Sequence, residues 1–162
     1  GCTWGQMGGP PGPEVKRLEY FVGNWTTEGT IAQGPWGMGG KFTGTGTTEW
    51  MSGSFFVQSN SEAKMPAELG GDSKAVMIMG YDAQQGTYTS DRYTNLGQHE
   101  TSKGTLSGDT WTWTNTSNYG GMEIQGKLTM KTVSPTSYTF KYEISMDGKT
   151  WTPFMDGKAT KK

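Results

Sequence analysis

The sequence predicts an all-β chain: a single antiparallel up-and-down barrel of about ten strands, with a short N-terminal helix closing one end. Three observations predict it. After Gly23 the chain reads as strand-like runs at regular spacing, which is the mark of hairpin-connected antiparallel sheet. Turn residues punctuate those runs at hairpin distances. Ten strongly twisted strands do not sit comfortably in one open sheet, so closure into a barrel removes the edges and leaves interior room. A β-sandwich is the alternative, and the meander of short turns favours the barrel.

The elements follow in chain order. Residues 1–13 contain Gly8-Gly9-Pro10-Pro11-Gly12-Pro13 and read as a flexible or polyproline-like leader. The barrel domain is expected over 14–162. Pro13 suits the first residue of a helix, and Glu14 suits the positive end of its dipole. Val15, Leu18 and Val22 fall on one face at helical spacing, so a helix or 3₁₀ turn is predicted over 13–21. Strands are then predicted at 24–33, 40–50, 53–62, 73–81, 87–94, 98–106, 109–116, 121–132, 136–146 and 150–160. Gly86, Gly97 and Gly108 sit where short loops need positive φ, Ser134-Pro135 separates two strands, and Asp147-Gly148 signals a type I′ hairpin. Alternation is clearest late: Tyr138, Phe140, Tyr142 and Ile144 share one face, and Thr139, Lys141 and Glu143 the other. Run 73–81 is apolar on both faces, so it is either covered twice or lines a cavity on one side.

Composition limits the partners. Mean hydropathy is -0.68, yet 12% aromatics, seven Trp and a net charge of -1 do not describe a disordered chain. The low value comes from 26 Gly and many Thr. A pI near 5.8 and the absence of a basic run argue against nucleic acid. No apolar run approaches the ~20 residues of a membrane span. Cys2 is the single cysteine, so no internal disulfide forms. Gly1 reads as an expression scar, and a Gly-Cys start also resembles the end of a bacterial lipoprotein signal, with Cys2 as the lipid-bearing residue. The expected location is bacterial and extracytoplasmic, secreted or periplasmic, with the cytoplasm as the alternative.

Several motifs together carry a resemblance. Leu18-Glu19-Tyr20-Phe21-Val22-Gly23-Asn24-Trp25 runs from the helix into the first strand. Met79-Gly80-Tyr81-Asp82 precedes Thr87-Tyr88 across a short turn. Gly108-Asp109-Thr110-Trp111-Thr112-Trp113 opens a mid-chain strand. Ser134-Pro135 to Phe140 and Ser145 to Lys149 mark a last hairpin. Over residues 14 to 161 the chain resembles an uncharacterised calycin-like (lipocalin-like) bacterial family, domain-of-unknown-function family 1579. The resemblance implies a lipocalin-like barrel and no established activity. In that setting Gly23 permits close backbone approach and Trp25 is a structural plug at the closed end. Lipocalin-like barrels often pack a late cation over this tryptophan, a part for Lys161 or Lys158 here.

Candidates for chemistry are few. His99 is the only histidine, on a strand-like segment, and no Gly-x-Ser-x-Gly elbow accompanies it. No catalytic set and no metal site is expected. No cofactor is expected either. Haem is considered because nitrobindin-like calycins bind it through one histidine and open with a similar Gly-x-Trp segment, but Thr27 replaces a glycine of that motif and His99 lies mid-chain. By alternation from Tyr88, Arg92 shares that tyrosine's face. Facing inward it would meet an acidic ligand group; facing outward it would pair with Asp91 or Glu100. Trp50, Trp111, Trp113 and Tyr142 are candidate lining residues, with Arg92 and His99, for an apolar cavity kept adaptable by ten methionines. Trp36 sits on a Gly-rich segment that could gate the open end.

The first functional expectation is a binding protein holding a small, mainly apolar molecule in a cavity of at least ~300 Å³. The second is an isomerase or hydrolase using the same cavity through His99, Glu28, Glu49 or Arg92. The third is a filled barrel whose outer face binds a protein. A closed barrel has no free edge, so a dimer would form through faces or loops.

Overall fold

The computed structural model describes residues 9–119 and 121–162. Cys2 and most of the Gly/Pro leader lie outside the described residues, and with them the lipid-anchor expectation. The N-terminal segment is a helix α1 (Pro13–Lys16) running into a 3₁₀ turn (Arg17–Phe21). Two turns this short are not stable by themselves. The barrel stabilises them by satisfying the carbonyls that a helix end leaves open. Trp25 Nε1 donates to the Phe21 carbonyl at 2.8 Å, and Lys161 Nζ to the Tyr20 carbonyl at 2.9 Å. The Tyr88 hydroxyl donates to the Glu14 carbonyl at 2.8 Å. Tyr20 returns the favour to the barrel, its hydroxyl placed 2.9 Å from the carbonyls of both Ser134 and Ser137.

Ten strands follow: β1 (Gly23–Ile31), β2 (Gly40–Trp50), β3 (Val57–Lys64), β4 (Ser73–Asp82), β5 (Thr87–Thr94), β6 (His99–Ser107), β7 (Thr110–Tyr119), β8 (Met122–Ser134), β9 (Ser137–Ser145) and β10 (Thr152–Lys161). Each pairs antiparallel with its sequence neighbour, and β1 pairs with β10 to close the barrel. No open edge remains in this ladder. The two walls of the closing seam meet in the register Trp25↔Lys161, Gly29↔Gly157, Ile31↔Met155. Strict alternation then defines two surfaces. Trp25, Thr48, Val57, Met79, Tyr88, Trp111, Met130 and Ala159 are buried and point inward, while their chain neighbours face water.

Two turns differ from expectation. Strand β3 begins at Val57 rather than residue 53, because Met51–Phe56 forms a loop closed by the Met51 amide on the Phe56 carbonyl at 2.8 Å. Gly53 and Ser54 hold φ of 91° and 60° there, which a strand cannot accommodate. At the C-terminal hairpin Asp147-Gly148 is not a two-residue type I′ turn: β9 and β10 are joined by residues 146–151. The Asp147 carboxylate takes that turn over, accepting the amides of Lys149 and Thr150 at 2.8 and 2.7 Å and the Ser145 hydroxyl at 3.0 Å.

Those backbone donors, Thr150 first and then Lys149, with the Ser145 hydroxyl, lower the Asp147 pKa to about 2. A depressed carboxylate stabilises the fold above its unfolded pKa and loses that effect as pH falls through the folded value. The 146–151 loop is therefore expected to hold at pH 5 and to loosen between roughly pH 4, where a free aspartate titrates, and about pH 2. Amide exchange of Lys149 and Thr150 across that window reads it. Protection unchanged down to the lower limit would contradict the assignment.

Candidate functional site: the barrel interior

The barrel is sealed at the helix end and built as a cup. Leu18 and Phe21 project from the helix onto Val57, Met79, Tyr88, Trp111, Trp113 and Met130, all buried. Trp111 sits centrally, 5.0 Å from the Phe21 ring and 4.8 Å from Tyr88, and lies parallel to Trp113 at 6.1 Å. Trp25 closes the corner beside Tyr138, with ring centroids 5.1 Å apart. Lys161 Nζ stands 5.1 Å from the Trp25 centroid and 5.5 Å from Tyr20, so the expected late-strand cation is Lys161. Gly23 is needed at this corner: its φ is 131°, and a Cβ would press on Lys161 Cδ at 3.0 Å. Burial raises the pKa of the Tyr138 phenol, with a smaller contribution from Tyr20, and burial likewise raises Tyr20 and Tyr88.

Above this floor the inward rows diverge in character. Along β7 to β10 they carry Trp113, Leu128, Phe140, Tyr142, Ile144 and Met155, an aromatic and aliphatic wall. Along β2 to β6 they carry Gly44, Gly46, Ser59, Ser61, Ser90 and Ser102 with Phe42, Ala75 and Met77 among them, a wall richer in small and hydroxylic groups. Rings fill part of the room that small residues leave: Trp113 lies over Gly104, and Phe42 meets Phe140 at 6.0 Å. Ser59, Ser61, Met77, Leu128, Phe140 and Tyr142 all point inward yet stay half-buried, so solvent reaches the upper interior. Gly126 makes room on the apolar wall for Tyr142: a Cβ there would lie 2.0 Å from the Tyr142 hydroxyl oxygen and 2.3 Å from Asn115 Oδ1. That room lets the Tyr142 hydroxyl donate to Asn115 at 3.3 Å.

Among the described residues, two charged side chains face this space. Arg92 lies on the row of Tyr88 and Ser90, both buried, and is itself half-buried. Glu100 is its direct cross-strand neighbour on β6 and lies on the inward row of Ser102 and Gly104. Sequence reasoning had Glu100 only as a partner for an outward Arg92. The missing signal was the β5–β6 register, which puts both on the inner face. Among the described residues Arg92 and Glu100 make no ion pair, with each other or elsewhere, and Arg92 has no hydrogen-bond partner.

The other candidates are distributed differently. Trp111 and Trp113 form the floor, and Tyr142 the upper apolar wall. Trp50 is at the closed end, where its Nε1 donates to the Glu19 carboxylate and its ring borders an outer groove of about 430 Å³. His99 is on the outer surface, because the register Tyr93↔His99 places both on the outward row. It stacks on Tyr93 at 4.3 Å and bonds Asp91 at 3.1 Å. The Thr101 hydroxyl, then His99, lower the Asp91 pKa by hydrogen bonding. Glu28 and Glu49 are exposed on outward rows. Of the four groups considered for an enzyme, only Arg92 faces the cup. Among the described residues no three His, Cys, Asp or Glu side chains are grouped to hold a metal ion. A further groove of about 900 Å³ crosses β1 to β5, lined by the outward Thr26, Thr45, Asn60, Val76 and Tyr93 together with Gly46, Ser61 and Ala75 of the inward rows.

The mouth lies at the opposite end from the helix, ringed by the connections 32–39, 65–72, 95–98 and 146–151 and by the β7–β8 turn at Gly121. The Gly-rich 32–39 segment folds inward on itself. Trp36 Nε1 donates to the Ala32 carbonyl at 2.7 Å, and its ring packs on Phe154 at 4.8 Å. Phe154 in turn meets Tyr142 at 6.0 Å, so one side of the mouth is roofed by aromatics continuous with the apolar wall.

Comparison with known proteins agrees with this architecture. A family model described as a protein of unknown function (DUF1579) matches residues 10–161, and the chain belongs to that family. No curated protein matches the chain. Among solved structures, Rv2717c from M. tuberculosis is similar at a TM-score of 0.63 and 9% identity, over 94% of this chain and 99% of that one. The S-type phycobiliprotein lyase CPES from Guillardia theta is similar at a TM-score of 0.56 and 9% identity, over 99% of this chain and 98% of that one. At such identities the likeness is one of fold, a calycin-like barrel.

Proposed function

We propose that this protein binds a small amphipathic molecule inside its barrel. The apolar body lies on the Trp111–Trp113 floor and the β7–β10 wall. An acidic head meets Arg92 among the serines of β3, β5 and β6. The observation that carries this reading is the unpartnered, inward guanidinium above an aromatic floor. A half-buried guanidinium that makes no ion pair or hydrogen bond is an unsatisfied donor set, and a carboxylate or phosphate answers it with two parallel bonds. Glu100 opposite makes the site selective against a second negative charge. The small-molecule expectation from sequence is kept, with its mainly apolar ligand refined to an amphipathic one.

The test uses three probes with one chain length: a long-chain carboxylic acid, its primary alcohol and its amine. The acid is expected to quench the tryptophan fluorescence of the floor at roughly tenfold lower concentration than the alcohol, as a charge-assisted bond implies. Native mass spectrometry of protein purified from its own host is expected to retain an acidic small molecule. Equal binding of all three probes would remove the role of Arg92. Binding of none would remove the cup as a site for such molecules.

A further inference from the structure

We propose that the mouth of the barrel docks on an electrically neutral lipid surface, from which the cup exchanges its ligand. The proposal rests on the small-molecule reading above. Four large apolar side chains stand in water around the mouth: Met38 at 72% exposure, Met146 at 63%, Leu96 at 50% and Met122 at 48%. Each belongs to a different connection or strand end, and all four are at the open end. Met122 continues the inward row of β8 past Ile124, and Met146 is the first residue beyond β9, two after the inward Ile144, so the apolar wall reaches the lip. Isolated exposed apolar residues are ordinary on a protein surface; four around one opening, continuous with its lining, are a distribution that water does not favour.

The kind of partner follows from area and charge. Four side chain tips on separate loops offer a few hundred Å² at most, less than the ~800 Å² per partner of a stable protein interface. A bilayer imposes no such minimum, since each tip partitions on its own. Methionine, three of the four, is unbranched and adapts to a disordered surface. The five connections around the mouth carry Glu68, Asp72 and Asp147 against Lys149 alone. Such a balance is repelled by anionic headgroups and indifferent to zwitterionic ones. Among the described residues the closed end also exposes four apolar groups, Met51 at 36%, Phe55 at 41%, Phe56 at 46% and Val133 at 65%, so number alone does not set the mouth apart; position around the opening does. There they stand beside no opening, and they serve as the control.

The experiment is flotation of the ligand-free protein with phosphatidylcholine vesicles and with phosphatidylcholine–phosphatidylserine vesicles. Wild-type protein is expected to float with the first and less with the second, independently of whether the cup is filled. The variant Met38→Ser/Leu96→Ser/Met122→Ser/Met146→Ser is expected to lose partitioning about tenfold or more. Phe55→Ser/Val133→Ser is expected to float like wild type. The single change Met38→Asp, at the most exposed of the four positions, reports the same loss should the fourfold variant not fold. A wild type that stays in solution overturns the proposal. So do a lip variant that floats unchanged, a control that accounts for the loss, and a dimer in solution that the lip variant dissolves. None of those outcomes touches the acid–alcohol comparison, so docking and ligand binding stand or fall separately.

Discussion

Trp25→Ala is expected to destabilise the protein by about 3–5 kcal/mol, the cost of removing a large buried aromatic. Trp25 is 7% exposed and closes the corner between the helix and the β1–β10 seam. Its loss removes ring contacts to Tyr20 and Tyr138 at 5.8 and 5.1 Å and deprives the Phe21 carbonyl of its donor. A short helix held by the barrel rather than by itself then has one fewer restraint, so the helix and the seam fail together. For a chain of this size the loss corresponds to roughly 6–20 °C in melting temperature. Trp25→Phe keeps most of the packing and loses the indole donor, and is expected to cost about 1–2 kcal/mol. Denaturant melts of the three proteins check this. A loss under ~1 kcal/mol for the alanine variant would show that the seam closes without the indole.

The same corner shows what was legible beforehand. Gly23, Asn24 and Trp25 at a helix-to-strand junction are a local signal, and the Trp25 bond to the Phe21 carbonyl lies within the motif, while Lys161 completes the corner from β10. All ten strands were visible for a similar reason: alternation and turn residues are written within each run. The β2 and β5 bounds, 40–50 and 87–94, were read to the residue. What was hidden depends on registers between runs. Arg92 follows Tyr88 inward by simple alternation. That Glu100 joins it, and that His99 goes outward with Tyr93, depends on which residue of β6 faces which of β5. A slip of one residue would reverse both. The type I′ assignment at Asp147-Gly148 failed because the turn spans residues 146–151: Gly148 does take a positive φ of 75°, but the Asp147 carboxylate organises the longer loop. The division of the interior into a hydroxyl wall and an aromatic wall was not legible either. It emerges only when strands distant in sequence close into one ring.

The second large effect is expected on binding. Arg92→Gln is expected to weaken the long-chain acid by about ten- to a hundredfold, with little change for the alcohol of equal length. The reason lies in the pairing across β5 and β6. A structural arginine in a barrel would be tied to Glu100, its direct cross-strand neighbour, and deleting it would leave that glutamate without a counter-charge. Here the two make no ion pair, so the guanidinium is held ready while fold stability depends little on it. Melting temperature is therefore expected to change little in Arg92→Gln while affinity for the acid collapses. Arg92→Lys keeps the charge but not the planar fork, and is expected to recover only part of the loss. Glu100→Gln separates attraction from repulsion. With the competing carboxylate neutralised, the acid is expected to bind several-fold more tightly to this variant than to wild type. If Glu100→Gln instead weakens the acid, the glutamate is orienting the arginine rather than opposing the ligand. If Arg92→Gln lowers acid and alcohol alike, the arginine shapes the cup without reading the head group, and recognition rests on the aromatic floor alone.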